Sequence, residues 1–472
     1  MLRLISERSL YEFLKKYTLI GILVILSMYF LYARGLEALT AMVVVLWVIF
    51  AAFEFPELLL IIYVLCSGIL LELAPSSGFP LFALGGGISF QLTDFVNLVI
   101  FVVGISLFVR QGRKPMFLIP LFFFFFGLII SVTINIGDID SVRQLFNSSR
   151  LHIYMLSYFG LLGIISTEKR FWFVVKLYVV VMFLAFIIQL YGFINGEIRV
   201  GHTVEIGKHI IPYVTSKAAY ETYLVLFVSL GIILLGKKAR ISKWYLPAIV
   251  AVFTFALALV RQYWLMIIVG IISLLFISKK ITKTAAITAF TVILFFIVVN
   301  NAPILSKGGL SLPEIIAMRF SSIESSVGNK SSTYNVRLAE IELLNSKISE
   351  KLFFGYGLGK TASKLYDNDV GVSNTIMLFG VLGLLFPISF TLIFFKNAMR
   401  LLRSLQKDSK YRGIVAGLIG AMIGLLFAYP VSRDIFSAGP RIIIIMAVLL
   451  ESIEFISQKD VSIPSMENRN HS

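Results

Sequence analysis

Long apolar runs separated by short polar clusters recur along almost the whole of this chain. Runs long enough to cross ~30 Å of hydrocarbon as helices fall near residues 17–32, 38–53, 55–73, 90–109, 116–136, 151–166 and 171–193. They continue near 219–235, 244–260, 263–278, 285–299, 372–395, 414–429 and 442–456. The pattern predicts an all-α polytopic integral membrane protein with about fourteen transmembrane helices, in a range of twelve to fourteen. Glu54, Pro56 and Glu57 interrupt one apolar block and predict a tight hairpin between the second and third helices. No fixed-period repeat is visible. The five consecutive phenylalanines at 122–126 read as lipid-facing or packing bulk rather than a site.

One polar stretch is far longer than the rest. It divides the chain into eleven helices over 1–299, a large external loop over 300–370, three helices over 371–458 and a polar tail over 459–472. Within the loop, Ser311 and Glu314 have capping-box spacing, with Pro313 in the first turn. They open an amphipathic stretch at 315–320. A second helix is predicted after Ser332, with Val336, Ala339, Leu343 and Leu344 on one face, ending before Gly355. The loop therefore reads as a small, ordered, partly helical cap. The shorter loops at 74–92, 135–150 and 195–216 are rich in Gly, Pro, Asn or Ser.

Composition agrees with a membrane protein. Of 472 residues, 58% are hydrophobic and 14% are charged, against about a quarter charged in soluble domains. The 42 phenylalanines exclude a disordered chain. A net charge of +16 would suggest nucleic acid in a soluble protein. Here the bland explanation is stronger, because Lys and Arg collect on cytoplasmic links. With the first residues inside, the inner segments hold 24 of the 42 Lys/Arg in short, dense clusters. The outer segments hold 17 spread over more residues, and Lys176 lies within a span. This places both termini in the cytoplasm and argues against a nucleic-acid partner. The basic leader precedes an apolar run with no small-residue cleavage site, so it predicts a first helix rather than a removed signal peptide. A single cysteine, Cys66, allows no internal disulfide and no Cys/His metal spacing.

Charged groups at span ends are costly and so carry the chemistry to be considered. Arg261 stands in a very short outer turn, Arg433 and Asp434 in a later one, and Arg441 at the outer start of the last helix. Arg337 lies on the loop's second helix, Arg150 and His152 open the sixth span, and Lys176 is buried by position. Guanidinium stays charged and offers a planar fork matched to phosphate oxygens. Such a ring could hold a lipid pyrophosphate and stabilise charge on it as a leaving group. The same arginines could equally bond lipid head groups or helix C-termini. No Walker loop and no HExxH are present, and the glycines at 355, 357 and 359 follow no strand. Neither a metal nor a cofactor is expected.

Two stretches, NVRLAEIELLNSKISEKLFFGYGLG at 335–359 and DNDVGVSNTIMLFGVLGLLF at 367–386, together resemble the O-antigen polymerase and O-antigen ligase superfamily. The shared features are an Arg-bearing helix, a Gly-x-Gly-x-Gly turn, and an Asn opening a helix with a Gly-x-x-Gly-Leu step. The large external loop and Arg261 beside Tyr263 and Trp264 fit as well, and the resemblance covers about 130 residues. It implies a GT-C-type glycosyltransferase of the bacterial cytoplasmic membrane, using undecaprenyl-pyrophosphate-linked glycan without metal. It implies that Arg261 and Arg337 bind the pyrophosphate, while Arg433 and Arg441 are candidates because they share that face. Gly355, Gly357 and Asn374 would shape the turn and the entrance to the site, and Tyr356 between the glycines is a further substrate-binding candidate. A flippase and a chain-length regulator are the partners such a pathway implies, beside membrane lipids.

Ligases typically carry a His immediately before that Asn, whereas this chain has Ser373. The departure favours a polymerase of O-antigen, capsule or exopolysaccharide, with a ligase as the alternative. It also leaves the base unassigned. Asp434 and Glu340 rank first, ahead of Asp369, His202 and His209. A flippase or other secondary transporter is the competing class. It predicts two related halves and broken helices, and the sequence shows neither. Only Lys176 and Asp94 read as ionisable residues deep in a span.

Overall fold

A computed structural model describes residues 53–67, 80–83, 89–139, 141–195, 203–206, 209–212, 218–236, 238–258, 261–279, 342, 345–359, 371–407, 409–431, 436 and 441–462. The first, second and eleventh expected spans, the capping box at Ser311, Arg337, Glu340, Asp369, His202, Arg433 and Asp434 lie outside them.

The described chain is built of apolar helices, consistent with a membrane-embedded helical protein. In order these are α1 (Pro56–Ser67), α2 (Leu92–Arg110), α3 (Leu118–Ile134), α4 (Val142–Ile153), α5 (Ser157–Ile164) and α6 (Glu168–Asn195). Then come α7 (Ala219–Leu235), α8 (Lys238–Ala258), α9 (Arg261–Ser278), α10 (Gly371–Phe379), α11 (Leu385–Ser404), α12 (Arg412–Ala428) and α13 (Arg441–Ser462). Among the described residues, three stretches are long and apolar enough to cross a membrane: Thr93–Arg110, Glu168–Tyr191 and Val381–Ser404. Six shorter apolar helices accompany them.

Two expected loops instead carry antiparallel hairpins, β1 (Pro80–Ala83) with β2 (Ser89–Gln91) and β3 (Thr203–Ile206) with β4 (His209–Pro212). Val204, Ile210 and Ile211 supply β-branched residues there. Two expected spans are broken. A 3-10 turn, Tyr154–Leu156, separates α4 from α5, and Gly380 with a second 3-10 turn, Val381–Leu384, separates α10 from α11. The sequence reading of unbroken helices is corrected at both places. Gly380 takes φ +67°, a left-handed conformation that ends α10.

The chain divides into two compact units. The first comprises Met1–Lys114, Leu156–Leu177 and Phe455–Ser472. Here α2 and α5 meet through glycine: a Cβ on Gly104 would lie 2.0 Å from the Gly160 carbonyl oxygen, so only small residues allow this approach. Gln111 and Arg113 donate to the carbonyls of Gly163 and Leu162 at 2.8 and 2.7 Å, satisfying the open end of α5. Arg113 also lies over the Phe455 ring. The acidic start of α1 finds a basic partner, since Arg170 Nε donates to Glu57 Oε1 at 2.8 Å.

The second unit comprises Pro115–Met155 and Tyr178–Glu454. Its centre is α7, apolar all round and buried along almost its whole length. A row of glycines on α12 (Gly413, Gly417, Gly420, Gly424) lets α7 and α9 approach the backbone. The Tyr223 hydroxyl, which occupies the space left at Gly424, reaches the carbonyls of Ala421 and Met266 at 3.0 and 3.3 Å. The phenylalanine run splits by face. Phe122 and Phe126 are exposed, and Phe124 is buried against Phe386, with ring centroids 4.8 Å apart.

Two sequence expectations about charge are corrected. Lys176 is exposed, not buried. It stands about 12 Å from the start of α6, near enough for its long stem to carry the ammonium toward the end. Asp94 is the third residue of α2, and its carboxylate accepts the Gln91 amide at 2.8 Å, so it caps a helix rather than lying deep in a span.

Candidate functional site at a glycine turn

The break after α10 creates the site's frame. A helix that stops leaves its last carbonyls without partners. The Met377 carbonyl accepts from the Tyr356 amide at 2.7 Å, and the Leu378 carbonyl from the Gly357 amide at 2.9 Å. Ser131 Oγ of α3 donates to the same Leu378 carbonyl at 2.7 Å. On the far side of the break the Val381 amide donates to the Leu352 carbonyl at 2.8 Å. A turn from the large loop therefore completes a broken helix.

The turn itself requires glycine. Gly355 and Gly357 take φ values of +67° and +71°. A Cβ on Gly355 would lie 2.5 Å from the Met377 carbonyl oxygen, and one on Gly357 would lie 2.7 Å from that of Ser131. The turn follows a helical segment at 345–350, matching the sequence expectation of a helix ending before Gly355.

Polar side chains fasten the turn. Asn135, at the end of α3, donates to the carbonyls of Ser131 and Gly355 at 2.9 and 3.3 Å. Its Oδ1 accepts from Lys351 Nζ at 2.6 Å, and that ammonium lies 5.0 Å from the Tyr356 ring centroid. The Tyr356 hydroxyl reaches Glu350 Oε2 at 2.7 Å and the Lys347 carbonyl at 3.1 Å. Lys347 Nζ donates to Glu350 Oε1 at 2.6 Å. These two donors, the lysine first, hold the Glu350 carboxyl below its ordinary range. Burial, helped by Glu350, pushes the Tyr356 phenol up to about 12. Beneath, Tyr356 and Leu358 pack with Leu128, Met377, Leu378 and Phe379.

Of the residues singled out from sequence, Gly355, Tyr356 and Gly357 come together here, and all are buried. They form the turn that meets α10. The amides of Tyr356 and Gly357 bond carbonyls within the protein, which leaves no amide cradle for a phosphate at those two positions. Asn374 is fully buried on α10, the helix whose end receives the turn. Beside it the Thr375 hydroxyl bonds the Tyr429 hydroxyl at 2.5 Å, and the Tyr429 ring packs edge-on against Phe436. The segment that carries Arg433 and Asp434 links these two aromatic residues in the chain. Arg441 opens α13 with its guanidinium 5.6 Å from the ring centroid of Tyr154. Arg261 is the first residue of α9.

Sequence reasoning missed Ser131, Asn135 and Lys351. Ser131 and Asn135 are polar residues four apart at the end of an apolar run, hence on one helix face. That was a readable signal. Lys351 had none, since its partner is 216 positions away. The sequence matches no protein-family model and no curated protein.

Proposed function

We propose that this chain is a polysaccharide polymerase that joins undecaprenyl-pyrophosphate-linked oligosaccharides on the outer face of a bacterial cytoplasmic membrane. One observation carries the reading. The two stretches whose residues resemble the O-antigen polymerase and ligase superfamily are bonded to each other, Tyr356 to Met377 and Gly357 to Leu378.

The alternating topology receives support from which helix ends meet. The Asn135 end of α3 bonds the large loop, and the opposite end, at the Met116 amide, bonds Glu451 of α13 at 3.0 Å. Arg400 near the end of α11 pairs with Glu454, again on α13. Under the positive-inside assignment these latter ends are cytoplasmic and the glycine turn is external.

In the proposed reaction an acceptor sugar hydroxyl attacks the donor's anomeric carbon. The bond from that carbon to the pyrophosphate oxygen breaks, and undecaprenyl pyrophosphate leaves with the bonding pair. Arg261, Arg337, Arg433 and Arg441 would stabilise that charge, and Asp434 or Glu340 would take the hydroxyl proton. The break between α10 and α11 bears on the transporter alternative, since broken helices can line transport sites. Here the freed carbonyls of Met377 and Leu378 are closed by the glycine turn and Ser131, which suits a joint better than a pathway.

The test is a proteoliposome assay with undecaprenyl-pyrophosphate-linked repeat units. Wild type should build a ladder of longer lipid-linked glycans without added metal, and Arg337→Ala or Arg261→Ala should lose it at equal expression. Product appearing on a separate lipid or protein acceptor would indicate the ligase. Translocation without lengthening would indicate the flippase and overturn the reading.

A further inference from the structure

Just before the glycine turn stand three consecutive apolar side chains that no described residue covers. Leu352, Phe353 and Phe354 are 43%, 67% and 41% exposed. They are not on a loose strand of chain. The Leu352 carbonyl is bonded to Val381, and a Cβ on Gly380 would lie 2.0 Å from the Phe353 carbonyl oxygen, so the backbone is seated against the helix break.

Their position relative to α11 bears on what could cover them. Val381, Leu385, Ile388 and Leu392 form an exposed apolar stripe at helical spacing, which ends at the exposed Lys396 and Arg400. From Val381 to Lys396 the stripe rises about 24 Å, counting the 3-10 turn. Hydrocarbon is ~30 Å thick, so the stripe alone is too short. The turn at 352–354 is attached to Val381 and adds apolar surface at that end of the stripe. On α3 the exposed Ile129 and Ile134, with Ile136 just beyond the helix, bring apolar surface to the same end, beside Asn135. Lys351, itself an exposed residue, directly precedes Leu352. Among the described residues its hydrogen-bond partner is the neutral Asn135, and none of their carboxylates forms an ion pair with it. Apolar side chains at the hydrocarbon edge below a fixed cation match the order of chain and phosphate in a phospholipid.

We propose that the turn at 351–354 is a phospholipid-binding element: Leu352, Phe353 and Phe354 enter the leaflet at the Asn135 end of α3, and Lys351 holds one lipid phosphate there. It goes beyond the polymerase reading and does not depend on it. The partner is a phospholipid of the surrounding leaflet.

The test uses the full chain in nanodiscs, carrying Cys66→Ala and Phe353→Cys labelled with an environment-sensitive fluorophore. Phosphatidylglycerol or phosphate-free diacylglycerol, each with a spin label high on the acyl chain, serves as quencher. Both should quench, with phosphatidylglycerol favoured about threefold, the scale of one exposed ion pair. Lys351→Gln should remove that preference and leave chain quenching unchanged, and Lys351→Arg should keep it. Quenching by aqueous iodide but not by acyl-chain labels would overturn the proposal. So would a phosphate preference that survives Lys351→Gln. Displacement of labelled phosphatidylglycerol by equimolar undecaprenyl pyrophosphate would also overturn it, assigning the turn to the donor lipid.

Discussion

Two glycines with nearly the same backbone but different surroundings separate strain from crowding. Gly112 and Gly355 have φ +61° and +67°, yet a Cβ on Gly112 would meet nothing within 4 Å while one on Gly355 would strike Met377. Gly112→Ala should cost about 1–2 kcal/mol for the left-handed backbone alone. Gly355→Ala adds overpacking and should cost about 2–5 kcal/mol in all. Thermal unfolding in detergent checks the pair, and equal shifts would show that the turn yields more than its bonds suggest. Tyr356 and Glu350 add a pH signature. Glu350 has a lowered pKa, so its contribution is present above its unfolded pKa and is lost as pH falls through the folded value. Tyr356 is raised to about 12, so its contribution is complete below about 10 and is lost as pH rises toward 12. Tyr356→Phe should therefore lower the melting temperature throughout the neutral range. The gap to wild type should narrow at both extremes, and a pH-independent gap would mean that the hydroxyl acts through packing alone.

At the scale of elements, close backbone approach at glycines joins α7, α9 and α12 in the second unit. A Cβ on Gly417 of α12 would lie 2.3 Å from the Phe227 carbonyl oxygen of α7, whereas one on Gly127 of α3 would meet nothing within 4 Å. Gly417→Ala should destabilise by about 1–3 kcal/mol through overpacking, and Gly127→Ala should be neutral or stabilise by up to about 1 kcal/mol through helix propensity. Unfolding of the two variants beside wild type decides it, and a harmless Gly417→Ala would mean that the α7–α12 contact is looser than it looks. The elements also show what the sequence could reveal. Apolar length alone located α2, α3, α7, α9, α12 and α13 to within a few residues, because a run buried or lipid-covered on all sides has no other readable solution. It failed at 151–166 and 372–395, where the apolar run continues through a helix break. Hydropathy is blind to the difference between an unbroken helix and two pieces joined at Gly380. The partner that makes the break tolerable, the glycine turn, comes from the loop just before α10 and returns to the helix's far end. Its glycines were conspicuous in sequence, but their role as a joint was not, since it depends on carbonyls that become free only once the break is known.

At the scale of the molecule, the proposed chemistry requires the glycine turn and the arginines to share the outer face, and charge distribution is the argument for that orientation. Twenty-four of 42 Lys/Arg lie in the segments assigned to the cytoplasm, and the bias holds for every assigned link except the one containing Glu57. That exception is compensated, because Glu57 is paired with Arg170 from another link assigned to the same face. Cys66 is the single cysteine and is buried, so replacing it by alanine leaves a background in which one introduced thiol reports one position. Lys347→Cys, beside the turn, should react with a membrane-impermeant maleimide on intact cells. Lys407→Cys, beyond the end of α11, should react only after permeabilisation. The reverse pattern would place the glycine turn on the cytoplasmic side, where glycan exported on undecaprenyl pyrophosphate does not meet it, and the polymerase reading would fall. The lipid-binding turn would survive that result, because it depends on exposed apolar side chains beside Lys351 at the end of the α11 stripe opposite Lys396 and Arg400, and not on which face either end occupies.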